Sequence, residues 1–430
     1  MLQTKSAESE QASTSTIKKY VLVGAGPASV RAAETLRKSD ANCDITMIGL
    51  ESEAPYSRMA LPYYLSGMIE DTGTHLRKTA GHFEGLNINH VHAKVDKIDS
   101  EGHQVTLNNG DTYNYDKLMI ATGSRPANSP FPGADNDGVV NCWTLADGRK
   151  ILDTIKPGSK VALLGAGFVA SIIIEAMIKR GVDLTVMLGR TGYMVSRMMD
   201  QTAGKMIQSW CESKGVTMIL PNSIKSIEAG PALKRDDDSL TKFDLIIVAT
   251  GVYSNIEFLE GSGVETDNGI IVDSHLRTSV DDIYAAGDVA QGLDFSTGGQ
   301  SVHAIQPTAV DHGRIAAVNM MGGSSFYKGS LSMNVLDTAG LVSTSFGSWG
   351  GVEGGDSVTL VDKENYKYIR LNFKDDLLVG AITVGRTDFI GVLRGLIQSE
   401  VALGDWKEKL REDPTLIMSA YLAQSLDIAR

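Results

Sequence analysis

Four glycines define the chemistry this chain can do first: Gly24 and Gly26 in YVLVGAG, and Gly165 and Gly167 in KVALLGAG about 140 residues later. In each copy a short apolar strand closes on the glycine turn and opens into a helix-forming run, PASVRAAETLRKSD after the first and FVASIIIEAMIKR after the second. The first glycine permits a tight turn and the second lets the backbone approach a pyrophosphate. The helix N-terminus beyond it supplies free N–H groups and a partial positive charge. Ser29 and Ala170 stand where a third glycine is usual, and a small residue suffices there for helix packing. One such turn is weak evidence, since glycines are common in surface turns; two at this spacing are far harder to obtain by accident.

A second strand follows each turn. DITMIGL is succeeded by Glu51, the nearest acid able to bind a ribose hydroxyl, although Leu50 occupies the neighbouring register. VDLTVMLGR ends without an acid; Arg190 closes it and Arg197 comes seven residues on. An arginine at that point suits a ribose 2′-phosphate. A surface arginine at a strand end, or a half that binds its nucleotide poorly, are the competing readings. Each unit then ends in a similar strand and an Ala-Thr-Gly turn, YDKLMIATGSRP at 115–126 and FDLIIVATGVYSN at 243–255. A third landmark, NGIIVDSHLRTSVDDIYAAGDVA at 268–290, ends a buried-looking strand at Gly287 and Asp288. There an aspartate can accept a ribityl hydroxyl or simply close its own turn.

From residue 326 the pattern changes to a sheet with hairpin turns, followed by amphipathic helices with a capping-like Asp413 and a helix-initiating Pro414. The 430 residues suggest about three domains. At 42% hydrophobic residues, each can bury a core. The longest apolar stretch is broken by glycines and carries Glu175, which argues against a membrane span. No secretion signal opens the chain, and residues 1–16 read as a polar, disordered tail. A net charge of −12 disfavours nucleic acid and anionic membrane as partners. Cys43, Cys142 and Cys211 form neither a close redox pair nor a metal or iron–sulfur cluster, which fits a reducing cytoplasm. His75, His82, His90, His92 and His103 lack metal-ligand spacing and read as solvated; His303 and His312 are better candidates for a site.

Together these motifs resemble the flavin- and pyridine-nucleotide-dependent disulfide-reductase superfamily, from about residue 19 to the C-terminus. The resemblance implies an α/β fold of two Rossmann-like dinucleotide-binding domains plus an α+β C-terminal interface domain. The FAD domain is expected in two pieces, 17–125 and 271–325, with an NAD(P) domain at 126–270 and a dimerisation or interface domain at 326–430. By the same resemblance FAD contacts Gly24, Gly26, Pro27, Ala28, Glu51, Arg58, Val95, Thr122, Gly123, Arg125 and Asp288, with Thr308 and Ala309 near the flavin ring. NAD(P) falls to Gly165, Gly167, Phe168, Ala170, Arg190, Arg197 and Gly251, and the arginines favour NADPH over NADH. Ile172 stands where the family usually has a glutamate. The tail is most similar to the flavin reductase portion of assimilatory nitrite reductases, whose iron–sulfur and sirohaem segments three cysteines cannot supply.

In the family, the segment EAPYSRMALPYYLSG at 53–67 passes beside the flavin. Coenzyme A disulfide reductases and related NADH oxidases carry a redox cysteine there; aligned on LPY, Met59 takes its place. A thioether forms neither a mixed disulfide nor a sulfenic acid, so thiol–disulfide exchange lacks its nucleophile. Tyr63, beside Pro62, occupies the region where reductases of rubredoxin or ferredoxin often have a lysine. No protein acid or base is needed for hydride transfer between stacked rings, so positioning is the catalysis. The expectation is an FAD-dependent NAD(P)H oxidoreductase, cytoplasmic and homodimeric, passing electrons to a separate redox protein or enzyme subunit. The alternatives are an NAD(P)H oxidase or diaphorase reducing oxygen or a small molecule, and a non-catalytic flavoprotein subunit with a degenerate nicotinamide site.

Overall fold

The structure is a computed structural model that describes residues 17–220 and 224–428. The expected disordered tail, 1–16, lies outside the described residues.

Two five-stranded parallel sheets dominate. The first runs Ile283–Ala285, Lys117–Ile120, Lys19–Val23, Asp44–Gly49 and Ile88–His92 in spatial order. The second runs Thr217–Ile219, Asp183–Met187, Lys160–Leu164, Leu245–Val248 and Val139–Asn141. In both, the central strand is buried on both faces, as Leu22 and Leu164 show, which is why YVLV and VALL are continuous apolar runs rather than alternating ones. The edge strand Ile283–Ala285 enters the first sheet after the whole second unit, so the first unit is discontinuous in sequence.

Helix Pro27–Ser39 covers the first sheet and is crossed by helix Gln306–Met320. The small buried residues Ala28, Ala32, Ala316 and Ala317 admit this approach. At the crossing, a Cβ on Gly313 would overlap the Ala28 carbonyl. The two units are joined by a two-stranded antiparallel ribbon, Ser124–Pro126 against Val252–Ser254, with Arg125 opposite Tyr253.

The C-terminal part is a five-stranded antiparallel sheet ordered Met333–Thr338, Leu341–Gly347, Leu377–Val384, Lys367–Lys374 and Asp356–Asp362. Leu336, Tyr368, Ile382 and Val384 pack into the core of the second unit, while Phe346, Leu371 and Phe373 pack with Leu393, Leu396 and Leu410 from the helices Ile390–Gln398 and Trp406–Glu412. Covered on both faces, its inner strands lose the alternation of a half-exposed sheet.

The second unit is tied to its neighbours by charge as well as by apolar packing. Arg149, on helix Leu145–Thr154, bridges Glu53 at 2.6 Å and Asp71 at 2.6 Å from the first unit. The Arg180 guanidinium donates to the Leu65 carbonyl at 2.7 Å. Asp200 caps helix Gln201–Ser213, accepting the Ala203 N–H at 3.0 Å, and its other oxygen takes the Tyr368 hydroxyl at 2.5 Å and Arg370 at 3.3 Å from the C-terminal sheet.

Two expectations are corrected. Asp413 and Pro414 do not start a helix: Asp413 ends helix Trp406–Glu412 and its carboxylate accepts the Thr415 N–H at 2.9 Å, so the next helix begins only at Ile417. The side chain satisfies a local turn and not a helix end. His82 and His90 are only partly exposed. His82 Nε2 lies 3.0 Å from Glu34, which also holds Arg77, and His90 is drawn in by the strand pairing that sets it beside Met47. Burial lowers the His90 pKa.

Candidate functional site

The two glycine turns have the same geometry. Gly24 at φ +119° donates its N–H to Ile48 O at 2.7 Å, and Gly165 at φ +122° donates to Met187 O at 3.2 Å. A Cβ at either would overlap a carbonyl oxygen, that of Ala121 in the first unit and Ala249 in the second. Only glycine satisfies both the left-handed backbone and that approach. Gly26 and Gly167 are the N-caps of helices Pro27–Ser39 and Phe168–Lys179, and neither helix has a side-chain cap. Their first N–H groups are left for a ligand. Beyond their own chain neighbours, no atom of the described residues lies within 4 Å of where a Cβ would stand on Gly26 or Gly167.

Around the first turn the chain gathers residues far apart in sequence. The side of Gly287 that would carry a Cβ faces Ala309 at 3.4 Å and Ala28 at 3.5 Å, so the Gly287–Val289 turn, the first helix and the start of helix Gln306–Met320 meet at one point. Asp288 is the middle residue of that turn. Among the described residues its carboxylate has a single long hydrogen bond, from Ser124 Oγ at 3.4 Å, and its main-chain carbonyl accepts from Ser254 Oγ at 3.2 Å. Burial therefore raises its pKa, with Ser124 and the charge of Arg58 opposing the rise. Both serines come from the joining ribbon and were not singled out from sequence, because nothing local marks them.

Arg58 donates to Glu51 at 2.7 Å and to the Trp143 carbonyl at 2.8 Å, and it stands over the Trp143 ring. Glu51 also accepts the Tyr56 hydroxyl at 2.6 Å. Thr122 and Gly123 are bound reciprocally to Asn255: Thr122 Oγ1 donates to its carbonyl, and the Asn255 amide returns a bond to the Thr122 carbonyl, both at 2.9 Å. Arg125 turns away to Glu257 and the Ser254 carbonyl on the exposed side of the ribbon. Val95 is buried at the head of strand Val95–Asp99, two residues after Ala93, whose N–H donates to the Gly49 carbonyl at 2.9 Å. Thr308 is buried, its hydroxyl 2.9 Å from Ser330 Oγ. Met59 and Tyr63 are 52% and 53% exposed on the short helical segment 58–66. That segment is tied to helix Gln306–Met320 by Ser57 Oγ donating to Gln306 Oε1 at 2.5 Å.

In the second unit Phe168 opens the helix, Ala170 is fully buried, and Gly251 holds φ +136°. The Thr250 hydroxyl is buried without a partner among the described residues, unlike its counterpart Thr122. Arg190 and Arg197 are exposed. The loop between them is fixed from behind: Val195 donates to the Ala166 carbonyl at 2.8 Å from the left-handed region, φ +48°. The three thiols are buried and separate. Burial pushes Cys142 and Cys211 up to about 12.

Residues 18–313 match the family described as pyridine nucleotide-disulphide oxidoreductase, and residues 333–401 match the rubredoxin NAD+ reductase C-terminal domain. The chain belongs to the pyridine nucleotide-disulphide oxidoreductase family. This family member is 29% identical over 413 residues to subunit epsilon of the NADH-dependent phenylglyoxylate dehydrogenase of Aromatoleum evansii, across 95% of this chain and 98% of that one. It is 31% identical over 375 residues to the assimilatory nitrate reductase electron transfer subunit of Bacillus subtilis, across 86% of this chain but 48% of that relative. Putidaredoxin reductase, solved in covalent complex with putidaredoxin, shares its fold at a TM-score of 0.85 and 21% identity, with 95% and 99% of the chains covered.

Family membership implies FAD and a nicotinamide nucleotide, and the first cleft of this oxidoreductase fits a flavin dinucleotide. The uncapped helix and the space beside Gly26 suit a pyrophosphate. Asp288 is a half-buried carboxylate short of donors among the described residues, the state expected of a group that takes hydroxyl hydrogen bonds from a ligand. No described helix is long and apolar enough to cross a membrane.

Proposed function

We propose that this chain oxidises a reduced nicotinamide nucleotide and passes the electrons, through bound FAD, to a separate redox protein or enzyme subunit. Two uncapped nucleotide helices in one chain, with no thiol placed to take the electrons onward, carry this reading. FAD supplies acceptance of two electrons from the nicotinamide and their release one at a time. The chain's own residues hold and orient. Gly24, Gly26, Pro27 and Ala28 would seat the pyrophosphate, Asp288 a ribityl hydroxyl, and the segment around Met59 and Tyr63 would cover the ring and limit water. The two relatives named as subunits support an acceptor within a larger assembly, and a homodimer through the C-terminal sheet is part of the proposal.

In the second cleft, Gly165, Gly167, Phe168, Ala170 and Gly251 would seat the nicotinamide dinucleotide. Arg190 and Arg197 make no hydrogen bond or ion pair within the described residues, which supports a 2′-phosphate ligand and hence NADPH. Anaerobic stopped-flow mixing with NADH and with NADPH tests both levels. Bleaching of the flavin band by either nucleotide supports the reductase, and faster bleaching by NADPH supports the arginine reading. A flavin bleached by neither would sink the reductase.

A further inference from the structure

His312 is 2% exposed, in the first half of helix Gln306–Met320 and immediately before the close crossing at Gly313. Its Nδ1 accepts the N–H of Gly287 at 3.3 Å. A ring nitrogen that accepts carries no proton, so the imidazole is neutral and its hydrogen sits on Nε2. That Nε2 is sealed from solvent and meets no hydrogen-bonding atom among the described residues. Burial, with the charge of His303 adding to it, lowers the pKa to about 4, consistent with a neutral ring. The Tyr327 ring stands at 89° to the imidazole with centroids 4.5 Å apart, an edge-on packing of the kind that accommodates an N–H against a π face.

A buried donor without an acceptor is destabilising in a way that a leucine or phenylalanine would avoid, so the imidazole must be held for what its other nitrogen does. What it holds is the amide of a residue at φ +76°, immediately before Asp288. The same Tyr327 donates its hydroxyl to Ser330 Oγ, which lies 2.9 Å from Thr308 Oγ1. One buried chain of groups therefore runs from the Asp288 turn through His312, Tyr327 and Ser330 to Thr308, at the N-terminus of the helix that begins beside Ser57.

We infer that His312 is a positioning residue for the flavin: without touching it, the neutral imidazole fixes the Gly287–Asp288 turn and, through Tyr327 and Ser330, locks that turn to Thr308. The polyol end and the ring end of one cofactor are then held by a single connected unit. This rests on the reading that the first cleft holds FAD.

The test compares H312F, which keeps a ring but has no acceptor, with H312N, whose amide oxygen can take the place of Nδ1, and with Y327F, which keeps the ring but cuts the link to Ser330. FAD affinity is measured by reconstituting the apoproteins, and the flavin midpoint potential by dye equilibration. H312F is expected to bind FAD about 10-fold more weakly, the worth of one lost hydrogen bond to a buried amide, and to shift the potential. H312N is expected to restore both, and Y327F to weaken binding by about 3- to 10-fold. FAD affinity and potential unchanged in H312F, or no recovery in H312N, overturns the role. If H312F does not fold, an unchanged Y327F overturns it instead. Wild-type protein that binds no FAD is a different result, which removes the flavin reading and this one with it.

Discussion

Gly313 lies against the carbonyl of Ala28, two residues into the helix that receives the first glycine turn, with no room for even a methyl group between them. The clefts themselves have the opposite character, since Gly26 and Gly167 have open space where a Cβ would stand. Three alanine substitutions therefore separate three effects. G313A forces two helices apart and is expected to cost about 1–3 kcal/mol, seen as a lower melting temperature of the apoprotein. G26A leaves the apoprotein's melting temperature in place and abolishes FAD retention through desalting. G167A keeps the flavin and raises the KM for the nicotinamide nucleotide.

At Asp288 the proposed cofactor contact and the stability of the apoprotein pull in opposite directions. Burial raises its folded pKa above the unfolded value, so the charged carboxylate costs the apoprotein stability at neutral pH, and that cost disappears as the pH falls and the group protonates. D288N should melt no lower than wild type as apoprotein at pH 7, with any advantage shrinking toward acid pH. Its FAD affinity should fall about 10-fold or more, the scale of losing hydrogen bonds to a charged group. Melting curves across pH, paired with flavin titration, read both signs.

How much of this was legible in the sequence depends on distance along the chain. The glycine turns, Asp288 at its strand end and the duplicated units could be read because each is a local pattern of backbone need: Gly24 and Gly165 are forced by one carbonyl apiece. Ser124 and Ser254 could not, since they reach Asp288 only after the ribbon pairs residues about 130 apart. A glycine inside the helical run DHGRIAA was the one visible sign of the Ala28 crossing. His82 and His90 were misread because a polar side chain in a polar stretch reveals nothing of the Glu34 carboxylate or the strand partner that draws it inward.

The proposed preference for NADPH rests on Arg190. R190A is expected to raise the KM for NADPH about 10-fold while leaving NADH within about 2-fold, because only the former presents a 2′-phosphate to a guanidinium. Steady-state kinetics with both nucleotides and a dye acceptor measure the ratio; equal effects on the two would place Arg190 outside the phosphate's reach.

Thiol chemistry should be silent. With Cys142 and Cys211 pushed to about 12 by burial, and Cys43 raised as well, almost no thiolate exists near neutral pH. Iodoacetamide under native conditions is expected to leave nicotinamide-driven flavin reduction unchanged, and mass spectrometry should find the three cysteines unmodified until denaturant is added.

Arg149 fastens the second nucleotide unit to Glu53 and Asp71, Arg180 to Leu65, and Asp200 to Tyr368 and Arg370. A unit moored to both neighbours at so many points has little freedom to swing open between turnovers. On the proposed function, the spacing of the two clefts would then be set at folding, so thickening the solvent with glycerol should slow the arrival and departure of nucleotide and acceptor but not the transfer between them.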